Sequence, residues 1–133
     1  MPWLLDTNVV SVLVNRRSAS VILRAAACPV EELFLCSVVK AELLYGAWNS
    51  ADVGKALAKL DPIFGELNSY PFDDLAAAAF GRIQAHLSAA GNRIGPNDTM
   101  IAAIALANDL TLVTHNTREF SRVPNLKIED WQS

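Results

Sequence analysis

Three carboxylates stand beside strongly apolar segments. Asp6 closes "WLL", Glu42 lies inside "SVVKAELLYGA", and Asp98 precedes "TMIAAIALA". Each has an ordinary role when taken alone. Asp6 can be a turn residue before a helix. Asp98 can be a helix N-cap, worth ~1 kcal/mol. Glu42 can be a solvated helix residue, although Val38 and Val39 share its helical stripe and predict partial cover. A covered carboxylate must find a partner. Brought together, the three repel, and they either take up protons or bind a cation. Oxygen ligands without histidine or thiolate suit Mg²⁺ or Mn²⁺. Such ions bind phosphates. The chemistry that follows is attack of water on a phosphodiester, with the ion acidifying the water and neutralising the developing charge.

The elements that must bring these acids together follow from patterning. "WLLD" reads as a short buried strand, and "TNVVSVLVN" as a helix starting near Thr7 or Asn8. "SASVILRAAA" (18–27) is a second helix, stopped by Pro29. "ELFLCS" (32–37) is a second strand, after which Ser37 caps a helix through "VVKAELLYGAW". "DVGKALAKLDPIFGEL" is helical until Pro62 perturbs it. "LNSYPF" is a short third strand. "DDLAAAAFGRIQAHLSAAG" is a long helix with Asp73 and Asp74 at its positive end and Gly91 after its last turn. "NRIGPND" leads as a loop into the apolar helix. "TLVTHN" (111–116) and "LKIEDW" (126–131) are the remaining strands.

Strands alternating with helices predict an α/β fold with a parallel sheet between helices. Right-handed crossovers place all strand C-termini on one edge, where ligands bind in open α/β sheets. Asp6, Asp98 and Asn116 fall on that edge, and Glu42 can lean over it.

Bulk properties agree. The 133 residues predict one domain, 1–133, and 52% hydrophobic residues suffice for a core. No apolar run reaches ~18 residues, so no membrane span is expected. "MPWLLDTN" carries no basic leader, so no signal peptide is expected, and the expected location is the cytoplasm. Cys28 and Cys36 lack metal-ligand spacing and read as plain thiols. A net charge of -3 supplies no global attraction for nucleic acid. Bound cations or a local basic patch must supply it.

The segments "LLDTNVV", "SVVKAELLYGA", "GPNDTMIAAIAL" and "LVTHNTREFSRVPNLKIEDW" resemble the PIN-domain family, over roughly residues 3–131. Within it they are similar to the VapC toxins of bacterial toxin–antitoxin pairs. The resemblance implies an α/β/α sandwich with a central, mostly parallel sheet and a Mg²⁺- or Mn²⁺-dependent ribonuclease site. Asp6, Glu42 and Asp98 match the family's catalytic metal ligands, with Thr7 and Asn8 supporting the site. Many members carry aspartate where this chain has Asn116, and Glu119 is a candidate to supply the missing charge. The resemblance further implies an RNA substrate, often transfer RNA, a block of translation, a VapB-like antitoxin that neutralises the activity, and a homodimer. Tyr45 and Trp48 in "LLYGAW" are candidates for such a protein surface, with core packing as the ordinary alternative.

Arg93, Lys40, Arg82 and Arg118 are candidates for holding RNA phosphates, beside the ordinary reading of solvated surface charges. Arg93 stands out because its loop leads to Asp98. His115 invites a general-acid role, but a lone histidine at a strand end is more often structural. His86 reads as a surface residue. Two competing functions remain. A phosphatase of the haloacid-dehalogenase kind needs a second aspartate two residues after the first, where this chain has Asn8. A catalytically impaired PIN-like module that binds RNA or a protein is favoured only by Asn116.

Overall fold

The computed structural model describes residues 2–132. Five strands form one sheet in the order β3-β2-β1-β4-β5. They are β1 (Trp3–Leu5), β2 (Leu33–Cys36), β3 (Asn68–Tyr70), β4 (Thr111–Val113) and β5 (Ile128–Glu129). Every pairing is parallel, so the sheet is wholly parallel where a mostly parallel one was expected. The helices are α1 (Thr7–Val14), α2 (Ala19–Ala26), α3 (Ser37–Trp48), α4 (Val53–Glu66), α5 (Asp74–Ala89), α6 (Pro96–Ala107) and α7 (Thr117–Phe120). No described helix is long and apolar enough to cross a membrane.

The inner strands β1, β2 and β4 are short, mostly apolar runs because both of their faces are covered. Leu4, Leu5, Leu35, Leu112 and Val113 are fully buried. The opening of α6 is polar, but Ile101, Ala102, Ala103, Ile104 and Ala105 are buried in an unbroken run. A helix apolar all round belongs inside. Its alanines let α5 approach closely, and α5 contributes Ala76, Ala79, Ile83 and Leu87 to the same core. On another part of the sheet α1 packs on α2, α3 and α4.

Several boundaries differ from the sequence reading. The N-cap of α1 is Asp6, whose Oδ1 accepts from Val9 N at 2.9 Å, so the helix starts at Thr7 on an acid cap. Ser37 is the first residue of α3, and Cys36 holds the cap position. Helix α4 runs straight through Pro62. Pro62 and Ala58, four residues before it, are both exposed, so water can satisfy the Ala58 carbonyl that proline cannot serve. Strand β4 ends at Val113, which leaves Thr114, His115 and Asn116 as a turn before the short α7.

The chain order explains the site's position. From β1 the chain moves outward through β2 to β3, then returns past β1 to lay down β4 and β5 on the other side. The crevice beyond the C-terminal ends of β1 and β4 is therefore the topological switch point, where open α/β sheets bind ligands.

Candidate active site

Asp6 leaves β1 directly into this crevice. It is only 5% exposed, and its backbone N–H donates to Val113 O of β4 at 3.1 Å. One carboxylate oxygen caps α1, and the nearby Thr114 hydroxyl favours the ionised form of the carboxylate. Thr114 is buried, and its hydroxyl accepts from Asn116 N at 3.0 Å in the turn after β4. Burial pushes the Asp6 carboxyl up, and the Glu42 charge adds to the effect. The Thr114 hydroxyl and the hydrogen bond from Val9 N oppose the rise.

Glu42 is half-buried on α3 and reaches over the crevice. Its Oε1 accepts from Thr7 Oγ1 at 2.5 Å, and its Oε2 accepts from Asn97 Nδ2 at 3.3 Å. Residues from α1 and α6 thus hold both oxygens of an α3 side chain.

Asp98 is the third residue of α6, and Gly95 occupies the N-cap position without a side-chain cap. The ordinary role as a helix cap therefore belongs to Asp6 and not to Asp98. The Asp98 carboxyl is pushed up to about 6, first by burial and then by the charges of Glu42, Glu119 and Asp6. Four carboxylates from β1, α3, α6 and α7 therefore share one electrostatic neighbourhood.

Among the described residues no three Asp, Glu, His or Cys side chains converge into a ready-made ion cage. Neutral donors hold two of the four carboxylates. Thr7 and Asn97 hold Glu42, and Asn116 Nδ2 donates to Glu119 Oε2 at 3.2 Å. Asn116 and Glu119, the two candidates for the fourth ligand position, are thus bound to each other. The oxygen-only donor set and the excess negative charge around Asp98 fit a hard divalent ion that keeps much of its water.

The remaining candidates are spread more widely. Thr7 pins Glu42 directly. Asn8 is exposed beside it on α1. Lys40 is half-buried with its Nζ 5.3 Å from the centre of the Phe64 ring, a cation–π position. Arg82 lines a separate hollow with His86, Pro124 and Asn125. Arg93 and Arg118 are exposed, and Arg93's carbonyl accepts from Arg122 Nη1 at 3.3 Å. His115 pairs through Nδ1 with Asp130 at 3.0 Å and lowers the Asp6 carboxyl slightly by its charge. Tyr45 and Trp48 are 72% and 67% exposed, which rules out core packing for both.

The sequence reading missed Asn97 and Thr114. Asn97 sits beside Asp98 in "GPND", and Thr114 begins the "THN" turn. Their only signal was a polar residue at a helix start or strand end next to a candidate site residue.

A parallel sheet with acids gathered at its switch point defines an α/β fold with a ligand site there, and comparison with known proteins makes this specific. The PIN-domain model matches residues 3–126, and the chain belongs to the PIN-domain family. Within the family its curated relatives are VapC ribonucleases. It is 36% identical over 131 residues to the tRNA(fMet)-specific endonuclease VapC of Shigella flexneri, covering 98% of each chain. It is also 36% identical over 131 residues to ribonuclease VapC2 of Haemophilus influenzae, again covering 98% of each. The DNA-bound VapBC structure from Salmonella typhimurium superposes with a TM-score of 0.93 at 33% identity over 98% of each chain. These similarities place the chain beside the VapC-type endoribonucleases of the family.

Proposed function

We propose that this chain is the toxin of a VapBC-type pair and cleaves RNA, with transfer RNA as the substrate class, in the cytoplasm. The observation that carries the catalytic reading is the gathering of Asp6, Glu42, Asp98 and Glu119 from four parts of the chain around one crevice, where burial and the other three charges push the Asp98 carboxyl up. A module that only binds RNA has no use for such crowding. Asp6, Glu42 and Asp98 would hold a Mg²⁺ or Mn²⁺ ion, with Asn116 and Glu119 on the side of a second, weaker position. Such an ion supplies neutralisation of phosphate charge and acidification of the attacking water.

The protein's own groups do the rest. The Asp6 cap fixes one carboxylate at the base of the crevice, near the Thr114 hydroxyl. Thr7 and Asn97 set the orientation of Glu42. The N-terminus of α6 turns its positive end towards the place where substrate phosphate must lie. Transfer RNA is the substrate class because the Shigella flexneri relative is named for one.

A VapB-like antitoxin is the partner that the VapBC neighbours support. A basic side chain of such a partner would meet the carboxylates as a charge-assisted pair and shut the site. The exposed Leu44, Tyr45 and Trp48 on α3 form an apolar strip suited to a protein contact, either the antitoxin or a second copy in a homodimer.

The test is cleavage of mixed transfer RNA with Mn²⁺, with and without EDTA, beside Asp98→Asn. Cleavage by the wild type alone, lost in EDTA, is the expected result. Metal-independent cleavage, or full activity in Asp98→Asn, would overturn the reading.

A further inference from the structure

Two hollows meet the acidic crevice, and they share a floor. One, of about 500 Å³, runs from Thr7 and Glu42 to Lys55 and Lys59 on α4. The other, of about 440 Å³, is rimmed by Arg17, His115 and Asn116. Asn8 and Ser11 line both. With Asn15 they form one stripe of α1, at i, i+3 and i+7, while Val9 and Val10 point into the core. The stripe is polar and uncharged, so it neither repels a phosphodiester nor competes with it. Asn15 is part of this surface through two contacts. Its Nδ2 donates to Ser11 O at 2.9 Å, and its Oδ1 accepts from Lys59 Nζ at 3.4 Å.

The charges at the two ends match a polyanion. Among the described residues no carboxylate side chain lines the Arg17 hollow. The Lys55–Lys59 hollow has Glu42 at its catalytic end and Asp52 on its wall, and one Asp52 oxygen already caps α4 by accepting from Lys55 N at 3.1 Å. Arg17, Lys55 and Lys59 are all exposed. The ring of His115 is fixed by Asp130, which accepts from its Nδ1.

We infer that single-stranded RNA crosses the α1 stripe, with phosphates on one side of the cut held by Lys59 and Lys55 and those on the other side held by Arg17, and with the adjacent nucleotide beside His115. The proposal rests on the ribonuclease reading and adds the strand's path. It places the phosphate contacts on residues other than Lys40 and Arg82, which lie on Phe64 and on a separate hollow. A protein segment has a more apolar hollow of its own next to these, around Leu13, Ala25, Pro62 and Ile63, which meets the first hollow at Val14 and Lys59.

The experiment measures anisotropy of a fluorescein-labelled single-stranded RNA on the uncleaving Asp98→Asn protein with Mg²⁺, across a salt series. Arg17→Gln and Lys59→Gln are each expected to weaken binding roughly 3- to 10-fold near 0.1 M salt and to lower the salt slope by about 0.7 per lost phosphate contact. Arg82→Gln is the control and should change neither. Arg17→Gln with Asp98 intact should still cleave at saturating RNA but with a raised KM. Unchanged affinity and slope in both variants, with cleavage intact, would overturn the path and leave the hollows to a protein segment. Absence of RNA cleavage by the wild type would overturn the ribonuclease reading and the path with it.

Discussion

Thr7 Oγ1 donates to Glu42 Oε1 at 2.5 Å, joining the first turn of α1 to α3 across 35 residues of sequence. A glutamate on a long flexible stem loses rotamer freedom only when something holds it, and here the hydroxyl does so beside a cluster of like charges. Thr7→Val keeps the shape and removes the donor. It should lower Mn²⁺ affinity or cleavage roughly 10-fold, the size expected when a ligand's supporting hydrogen bond is lost. Thr7→Ser should retain most activity. Calorimetric Mn²⁺ titration and cleavage rates check both; wild-type behaviour in Thr7→Val would mean that Glu42 needs no such support.

The raised Asp98 carboxyl sets the sign of a pH effect on stability. Its folded value of about 6 lies above the ordinary 3.8, so the folded protein holds the proton over that window and the unfolded chain does not. The stabilisation from this group is complete below about pH 4 and is lost as pH rises through 6. Asp98→Asn removes the penalty, so the metal-free variant should be more stable than wild type at pH 7.5 by something on the order of 1 kcal/mol after allowance for solvent screening. At pH 4 the difference should shrink. Urea unfolding in EDTA at the two pH values measures this, and an equal gap at both would contradict it.

Asp6 carries two roles that substitution can separate. Asp6→Asn keeps an N-cap acceptor for Val9 N and removes a charge whose burial is unfavourable. Asp6→Ala loses the cap, at a cost of ~1 kcal/mol. Both should be inactive, yet in EDTA the asparagine variant should melt a few degrees above the alanine variant. Calorimetric melting that ranks them the other way would show that the cap contributes little.

Asn116→Asp replaces the amide that donates to Glu119 with a fifth like charge. Metal-free protein should lose stability from the repulsion, while Mn²⁺ binding should tighten several-fold. Weaker or unchanged binding in calorimetry would leave Asn116 outside the metal site.

Much of this arrangement was legible in the sequence. Short apolar runs between helical patterns gave the parallel sheet, and its single C-terminal edge gathered Asp6, Asp98 and Asn116. The partial cover of Glu42 followed from Val38 and Val39 on its stripe. Other features depend on tertiary context. A proline ends a helix by propensity, but Pro62 lies on a solvent face where the lost hydrogen bond costs less. The "TREF" segment is too short to show helical periodicity, so α7 was hidden, although Glu119 itself stood out as a candidate acid. The role of Asn97 is a hydrogen bond to a residue 55 positions away in sequence, and Thr114 meets Asp6 only once β4 pairs with β1. Arg17, Lys55 and Lys59 look like any surface cation until α1 and α4 bring them to hollows with a common floor.

The central claim is that Asp6, Glu42 and Asp98 share one hard divalent ion. Anomalous scattering from crystals soaked in Mn²⁺ tests it most directly. The expected map has a peak between the Asp6 and Asp98 carboxylates within reach of Glu42, and none there in Asp98→Asn. A wild-type crevice with no peak, or a peak bound only by residues elsewhere on the surface, would contradict the claim.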